Sequence, residues 1–299
     1  MNHYTNTPTL PYFRKSDELP APLPTTVDIE RGTEEIRTND HPNHRRVVIL
    51  EKHFVAKFGS KVNENEGHAL LFLEKMCPSF PAPRLHAMYM GGDRLYIVMD
   101  YKPGTTLLSL WPTLKQEEKM SIASQLREKM DQIRSIASPG IFSDVIGGPL
   151  KHRWFYWWAD PTISGPFQTE EDFNKGLARM IQKTWEDNST GGKLGEFFGR
   201  HLPGTLQGHP SVFTHSDFHR GNVLVKEINE DVLGAARKFE VTAIVDWESA
   251  GWYPSYWEYT RCFMDFDWRD DWLEMVEHIV TPCPSEAAFL KLIRMDLEW

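Results

Sequence analysis

The sequence predicts an α+β chain of two lobes, a small β-rich lobe followed by a larger, mainly helical one. Three observations carry this. Residues 45–99 read as strand, strand, helix, strand, strand. The character changes at Tyr101-Lys102-Pro103-Gly104, after which apolar residues recur at helical spacing. A polar loop at 215–222 then runs directly into the apolar strand Val223-Leu224-Val225, and a second apolar strand ends in Asp246.

The chain opens with a Pro-rich arm, residues 1–27, where Pro8, Pro11, Pro20, Pro22 and Pro24 punctuate small and polar residues. Proline fixes φ and removes a donor, so this arm is expected on the surface or disordered. The N-terminal lobe is expected at 28–101. Residues 45–50 and 53–58 form two short strands with Glu51-Lys52 near the turn. A helix over 63–76 carries Ala69, Phe72, Leu73 and Met76 on one face and stops at Cys77-Pro78. Beyond Pro81-Ala82-Pro83, strands at 85–90 and 95–99 join across Gly91-Gly92-Asp93 as a hairpin.

The C-terminal lobe is expected at 102–299. Ile122, Leu126, Met130, Ile133 and Ala137 recur at steps of four and three, which predicts an amphipathic helix. An aromatic stretch follows at 154–158. Thr169 with Asp172 makes a capping-box start for a helix faced by Phe173, Leu177, Met180, Ile181 and Trp185. A loop at Gly191-Gly192 leads to a short helix near 194–201. Strands at 223–225 and 241–245 are separated by a long polar connection, and the chain from 256 onward reads as helical.

Composition narrows the function. Hydrophobic residues make up 40% and charged residues 25% of 299, enough apolar material for a sizeable core. The net charge of −9 argues against nucleic acid or an anionic membrane as partner. Cys77, Cys262 and Cys283 are scattered and give neither a disulfide framework nor a metal spacing. No apolar run approaches the ~20 residues of a membrane span, and residues 1–9 lack a secretory pattern. A cytoplasmic location is the expectation.

The chemistry gathers in His215-Ser216-Asp217-Phe218-His219-Arg220-Gly221-Asn222 and in Val245-Asp246-Trp247-Glu248. One carboxylate and one carboxamide lie five residues apart on a loop, and a second carboxylate ends a strand able to pair beside them. Phosphoryl transfer needs such a set: a carboxylate to position or deprotonate the attacking hydroxyl, and hard oxygen ligands to grip a divalent ion against phosphates. A cation must also meet those phosphates. Lys57 stands in the apolar strand Phe54-Val55-Ala56-Lys57-Phe58, where a charge is costly unless paired. Glu66 continues the buried stripe of the following helix and is the expected partner, with Glu64 as the second choice.

The pattern His215-x-Asp217-x-x-x-x-Asn222 followed by Asp246 resembles the catalytic loop and metal-binding Asp of the aminoglycoside phosphotransferase and choline kinase-like superfamily. The likeness runs from about 45 to 267, and Met99-Asp100-Tyr101-Lys102-Pro103-Gly104 looks like its interlobe hinge. The resemblance implies a protein kinase-like two-lobed fold with the nucleotide held by the N-terminal lobe. It implies Asp217 as catalytic carboxylate, His215 as brace of the loop, and Asn222 and Asp246 as Mg²⁺ ligands. Lys57, Glu66, Met99, Tyr101 and Asp246 would form the nucleotide site. The cofactors would be Mg²⁺ and ATP, with GTP as the alternative donor, and the acceptor a small hydroxylated molecule. A non-catalytic kinase-like binding protein and an enzyme acting on protein hydroxyls are the competing readings.

Two departures stand out. The segment 37–46, where the phosphate-covering loop should lie, contains no glycine, although close approach of backbone amides usually calls for it. Ser216 replaces the Arg of the protein-kinase His-Arg-Asp, and Trp247-Glu248 replaces Phe-Gly after the metal Asp, which favours a small acceptor over a protein. Candidate walls for that acceptor are the aromatics at 154–158 and the run Trp252-Tyr253 and Tyr256-Trp257-Glu258, with Asp265 and Asp267, which would suit an aromatic or cationic group. Core packing of those aromatics is the competing expectation.

Overall fold

A computed structural model describes residues 9–36, 41–187, 193–228, 237–265 and 270–297. Of the features expected from sequence, the loop at Gly191-Gly192, Asp267 and positions 37–40 lie outside these residues, as do the side chains of Trp185 and Asp265.

Of the expected arm, residues 1–8 lie outside the described residues; the rest contains a strand, β1 (Tyr12–Phe13), and reaches a helix, α1 (Thr26–Arg31), which straddles position 27 and opens with a capping box between Thr25 and Asp28. It lies on the surface without being structureless. β1 pairs antiparallel with a later strand, and Arg14 bridges to Glu74. Next come β2 (Arg46–Leu50), β3 (Phe54–Gly59), α2 (Asn65–Met76), β4 (Leu85–Gly91) and β5 (Arg94–Asp100). These strands form one antiparallel sheet in the order β1-β4-β5-β3-β2. The β2–β3 turn places Glu51 and Lys52 at φ 51° and 56°, the left-handed pair that a right-twisted hairpin needs, without a glycine. Helix α2 lies so close to β4 that a Cβ at Gly67 would stand 2.5 Å from the Met88 sulfur.

After β5 the chain enters the second lobe through β6 (Thr105–Thr106), α3 (Leu107–Leu110), α4 (Gln116–Arg134) and β7 (Ser143–Asp144). It continues with α5 (Pro161–Ser164), α6 (Glu170–Asp187), α7 (Lys193–Thr205), β8 (Ser211–Thr214), β9 (Val223–Glu227) and β10 (Phe239–Ile244). The last elements are β11 (Gly251–Pro254), α8 (Trp257–Asp265), α9 (Trp272–Ile279) and α10 (Pro284–Leu297). Helix α7 runs through Pro203 and is longer than the short helix expected. The hydroxyl of Thr169 caps α6 by accepting from Asp172 N at 3.1 Å. Two small sheets, β10-β9-β6 and β7-β11-β8, rest on these helices. No helix among the described residues is long and apolar enough to cross a membrane.

One core joins α2 to α4, α9 and the β9–β10 hairpin through Leu73, Leu126, Met130, Val223 and Val276. A second is built on aromatics, with Phe155, Phe173, Tyr253, Tyr256 and Trp257 all buried. Of the two expectations for the aromatics at 154–158 and 252–257, acceptor wall or core packing, packing holds for most of them. Trp154, Phe155, Trp252, Tyr253, Tyr256 and Trp257 are packing, and of the first stretch Tyr156 and Trp157 reach the surface, Trp157 with 64% exposed.

Candidate active site

Strand β3 buries Ala56 and Phe58 against one face of its sheet and turns Lys57 to the other, where 4% of it is exposed. An ammonium so placed needs compensation. It has three carboxylates: Glu66 Oε2 at 2.8 Å, Asp246 Oδ1 at 2.6 Å and Glu248 Oε2 at 2.8 Å. Arg45 closes the group by pairing with Glu248 Oε1 at 2.9 Å. Glu64 instead points outward near His68, at 3.9 Å, so the geometry takes Glu66 of the two candidates. Burial works against the charge on Lys57, but Asp246, Glu66 and Glu248 together hold its pKa well above the usual lysine range. Burial, reinforced by Asp246 and Glu248 and opposed by Lys57, pushes Glu66 up to about 7. For Asp246 burial raises the pKa, but Lys57, Arg45 and His215 together outweigh it and the net direction is down.

The loop between β8 and β9 is held from below. Glu258, on the first turn of α8, is buried and accepts from His215 N at 2.7 Å and Ser216 N at 3.1 Å. Ser216 sits at φ 71°, a left-handed conformation costly for a residue with a Cβ, and its hydroxyl accepts from Trp257 Nε1 at 2.9 Å. The His215 ring is fully buried. Its Nδ1 accepts from Asp217 N at 3.2 Å, which leaves Nε2 to donate to Val245 O at 2.9 Å. That bond ties the loop to the residue before Asp246.

The β9–β10 register, with Val223 opposite Ile244, then sets Asn222 beside Val245, whose N–H donates to Asn222 O at 2.9 Å. Asn222 Nδ2 donates to Asp217 O at 3.0 Å. Asp246 takes φ 65°, which turns its carboxylate toward Lys57. The Asn222 side chain thus touches Asp217 while its main chain pairs with the residue before Asp246, so the two loops are neighbours, and the Asp217 side chain is 41% exposed. Met99, buried, and Tyr101 lie where β5 leaves the sheet, and Tyr101 N donates to His53 O at 3.0 Å. Gly104, at φ 151°, presses on the hairpin, where a Cβ would meet Thr242 Oγ1 at 2.9 Å.

The donors available to a cation are all oxygens: the carboxylates of Asp246, Glu66 and Glu248, whose oxygens lie within 4.8 Å of one another, and on the neighbouring loop the Asn222 carboxamide. These are hard oxygen ligands, which fits Mg²⁺. Beside Asp217 opens a pocket of about 460 Å³ whose lining includes Leu108, Arg153, Arg220, Arg261 and Trp272.

Sequence reasoning gave no role to Arg45 or Asn65, none to Glu248 beyond its place after Asp246, and took Glu258 for a wall residue. Asn65 Nδ2 donates to Glu248 O at 2.9 Å and Ala250 O at 2.8 Å, fastening α2 to the loop that carries Asp246. Nothing local in the sequence marks Asn65 or Glu258, because both act on main-chain atoms far along the chain.

Residues 36–290 match the profile of the phosphotransferase enzyme family. No curated protein matches the sequence. Among solved structures, the chain is similar to a thermostable mutant of aminoglycoside phosphotransferase APH(4)-Ia in a ternary complex with AMP-PNP and hygromycin B. Identity there is 15% and the TM-score 0.53, covering 91% of this chain and 82% of that one. ADP-bound aminoglycoside phosphotransferase APH(2'')-Ib is similar at 14% identity and TM-score 0.53, over 88% of this chain and 79% of that one. The gentamicin–APH(2")-IIa complex follows at 13% and 0.51, over 85% and 76%. The likeness is one of fold.

Proposed function

The chain belongs to the phosphotransferase enzyme family, and from that premise we propose that it moves the γ-phosphoryl group of ATP, with Mg²⁺, to a hydroxyl of a small molecule. What supports this reading is that Asn222, on the loop of Asp217, pairs through its main chain with the residue before Asp246, whose carboxylate meets the buried Lys57, itself paired with Glu66. Nucleotide-bound relatives of the same fold support it.

The acceptor oxygen attacks the γ-phosphorus, the bond to the β–γ bridging oxygen breaks, and ADP leaves. Asp217, on the solvent side of the loop, orients the hydroxyl and takes its proton. Lys57 meets the α- and β-phosphates while Glu66 keeps the ammonium in position, and Met99 and Tyr101 flank the base at the hinge. Asn222 and Asp246 would hold Mg²⁺, which supplies charge neutralisation on the phosphates. Glu258 and His215 fix the loop, so that Asp217 does not have to be ordered anew at each turnover.

Thermal denaturation with ATP·Mg²⁺ tests binding. At a concentration about a hundredfold above Kd the Tm should rise by about 5 °C. Asp217→Asn should keep that rise and lower kcat by about 10²- to 10⁴-fold, the usual contribution of a positioned base. Nucleotide binding without turnover on any hydroxyl would instead identify a kinase-like binding protein. GTP in competition with ATP ranks the two donors.

A further inference from the structure

The geometry points to a second ligand site, on the flank of α2 that carries Glu64 and His68, taking a small molecule through a primary or secondary ammonium group. It stands apart from the phosphotransferase reading, because none of its described lining residues belongs to the loops at 215–222 and 246–248. Between the start of α2, the β4–β5 hairpin and the chain that follows β7 opens a cavity of about 370 Å³. That size suits a small ligand. On its wall stands His68, 6% exposed, whose Nε2 has no hydrogen-bond partner among the described residues. Buried polar atoms are nearly always paired, and one left bare costs free energy. This nitrogen lies 3.9 Å from Glu64 Oε2, too far for a hydrogen bond, and Glu64 lines the same cavity. Burial, with Lys151 nearby, lowers the pKa of the ring from 6.5 to about 4. At neutral pH the imidazole is therefore uncharged and carries a lone pair for a donor to meet.

Charge selects the ligand. Lys151 is paired with Asp144 at 3.8 Å, whereas Glu64 and Asp93, on the same lining, have no lysine or arginine partner among the described residues. The cavity is thus negative, and its bare nitrogen accepts. One ammonium nitrogen at the usual ~2.8–3.0 Å from each acceptor reaches both His68 Nε2 and Glu64 Oε2 and fills the 3.9 Å gap between them. A divalent ion fits less well. Among the described residues no third His, Cys, Asp or Glu ligand atom lies within 4.8 Å of both members of this pair. The carbon stem of the ligand would run along Val62 and Leu95, both buried on the same wall. The walls are fixed before any ligand arrives. Val145 N donates to Asn65 Oδ1 at 3.3 Å, and Asp144 Oδ1 accepts from Gly148 N at 2.6 Å. Little has to be ordered on binding.

Isothermal titration calorimetry on the full chain tests this with putrescine and ethanolamine, set against butanediol, choline and Mg²⁺. At least one of the two amines should bind once per chain, and more weakly as salt is added. Butanediol lacks the charge and choline lacks an N–H, so each should bind about tenfold more weakly or less. His68→Leu should raise the Kd of the amine about tenfold, the loss of one hydrogen bond to a charged group. Glu64→Gln, at a half-exposed position, should raise it about two- to fivefold, and it carries the test alone if His68→Leu does not fold. An amine bound equally by the parent and both variants sits elsewhere and overturns the inference. Butanediol or choline binding as tightly as the amines overturns the ammonium assignment. Mg²⁺ that displaces the amine, and is itself weakened by Glu64→Gln, overturns it in favour of a metal. If no probe binds, the cavity holds solvent only and the inference falls. The response to ATP·Mg²⁺ is a separate measurement, so none of these outcomes decides the phosphotransferase reading.

Discussion

Lys57→Met removes the one cation that pairs with Glu66 among the described residues and retains the length and apolar character of the stem. Glu66 is 2% exposed, while Asp246 and Glu248 keep more contact with solvent, at 30% and 17% of their side chains, and Glu248 retains Arg45. The charge left stranded is therefore that of Glu66. Removing one member of a buried pair costs about 3–5 kcal/mol when the remaining group stays ionised. The pH decides whether it does. Burial already raises Glu66 to about 7 with Lys57 present, and without Lys57 its opposing pull is gone, so the folded pKa moves higher. The unfolded carboxyl titrates near 4.5, so between that value and the folded pKa the folded variant binds the extra proton. Its stability therefore falls as pH rises through the folded pKa. The cost of Lys57→Met should approach about 3–5 kcal/mol at high pH and shrink toward the ~1.5 kcal/mol or less of a volume-conserving swap as the carboxyl protonates. Urea denaturation at pH 5.5 and pH 9 reads both. Lys57→Met/Glu66→Leu should recover most of the loss at pH 9 without recovering the nucleotide-induced rise in Tm. A cost independent of pH, or a double variant no better than the single one, refutes the argument.

Two further predictions follow from groups buried around the same frame. Glu258→Gln keeps the side-chain length but offers one acceptor oxygen to the N–H groups of His215 and Ser216. Leaving a buried donor unsatisfied should cost about 1–3 kcal/mol in urea titrations and lower kcat with it; unchanged stability would contradict the clamp. His68 is buried, its Nε2 finds no hydrogen-bond partner among the described residues, and burial, with Lys151 nearby, lowers its pKa from 6.5 to about 4. The unfolded chain then takes the proton first, so about 3 kcal/mol of stability present above pH 6.5 is lost as pH falls to about 4. His68→Leu should be neutral or stabilising at pH 7 and should remove that part of the acid sensitivity. Parallel pH slopes for variant and parent would sink this account.

The parts of the fold legible in the sequence are those whose signal is local. The hairpin turning at Gly92 and the apolar stripes of α2, α4 and α6 depend on near neighbours in the chain, and each falls within a few residues of its expected place. Strands β8 and β11 have no such signal. They are four residues long, Gly251–Pro254 is buried throughout, and the pair closes only when position 211 reaches position 254. A strand with both faces covered shows no alternation to read. The edge strand Tyr12–Phe13 is hidden for a related reason. Two residues among prolines carry no periodicity, and only the exposed edge of β4 makes them a strand.

The site divides along the same line. Lys57 and Glu66 could be paired in advance because a charge in an apolar strand demands a partner and α2 repeats its buried face in step with Glu66. The residues that tension the site act instead on main-chain atoms at long range: Asn65 reaches Ala250 across 185 positions, and Glu258 reaches His215 across 43. What they offset is conformational. Ser216 and Asp246 each hold a left-handed backbone that costs about 1–2 kcal/mol for a residue with a Cβ, and each is gripped by a different element, Ser216 by α8 and Asp246 by the Lys57 ammonium of β3. The first grip lies within the C-terminal lobe and persists whatever the cleft holds. The second crosses between lobes, through an ammonium that the nucleotide phosphates would also claim. On the proposed reading Asp246, rather than Asp217, is thus the residue whose partners would change when a nucleotide arrives, while Glu66 and Glu248 would keep the ammonium in place through the exchange.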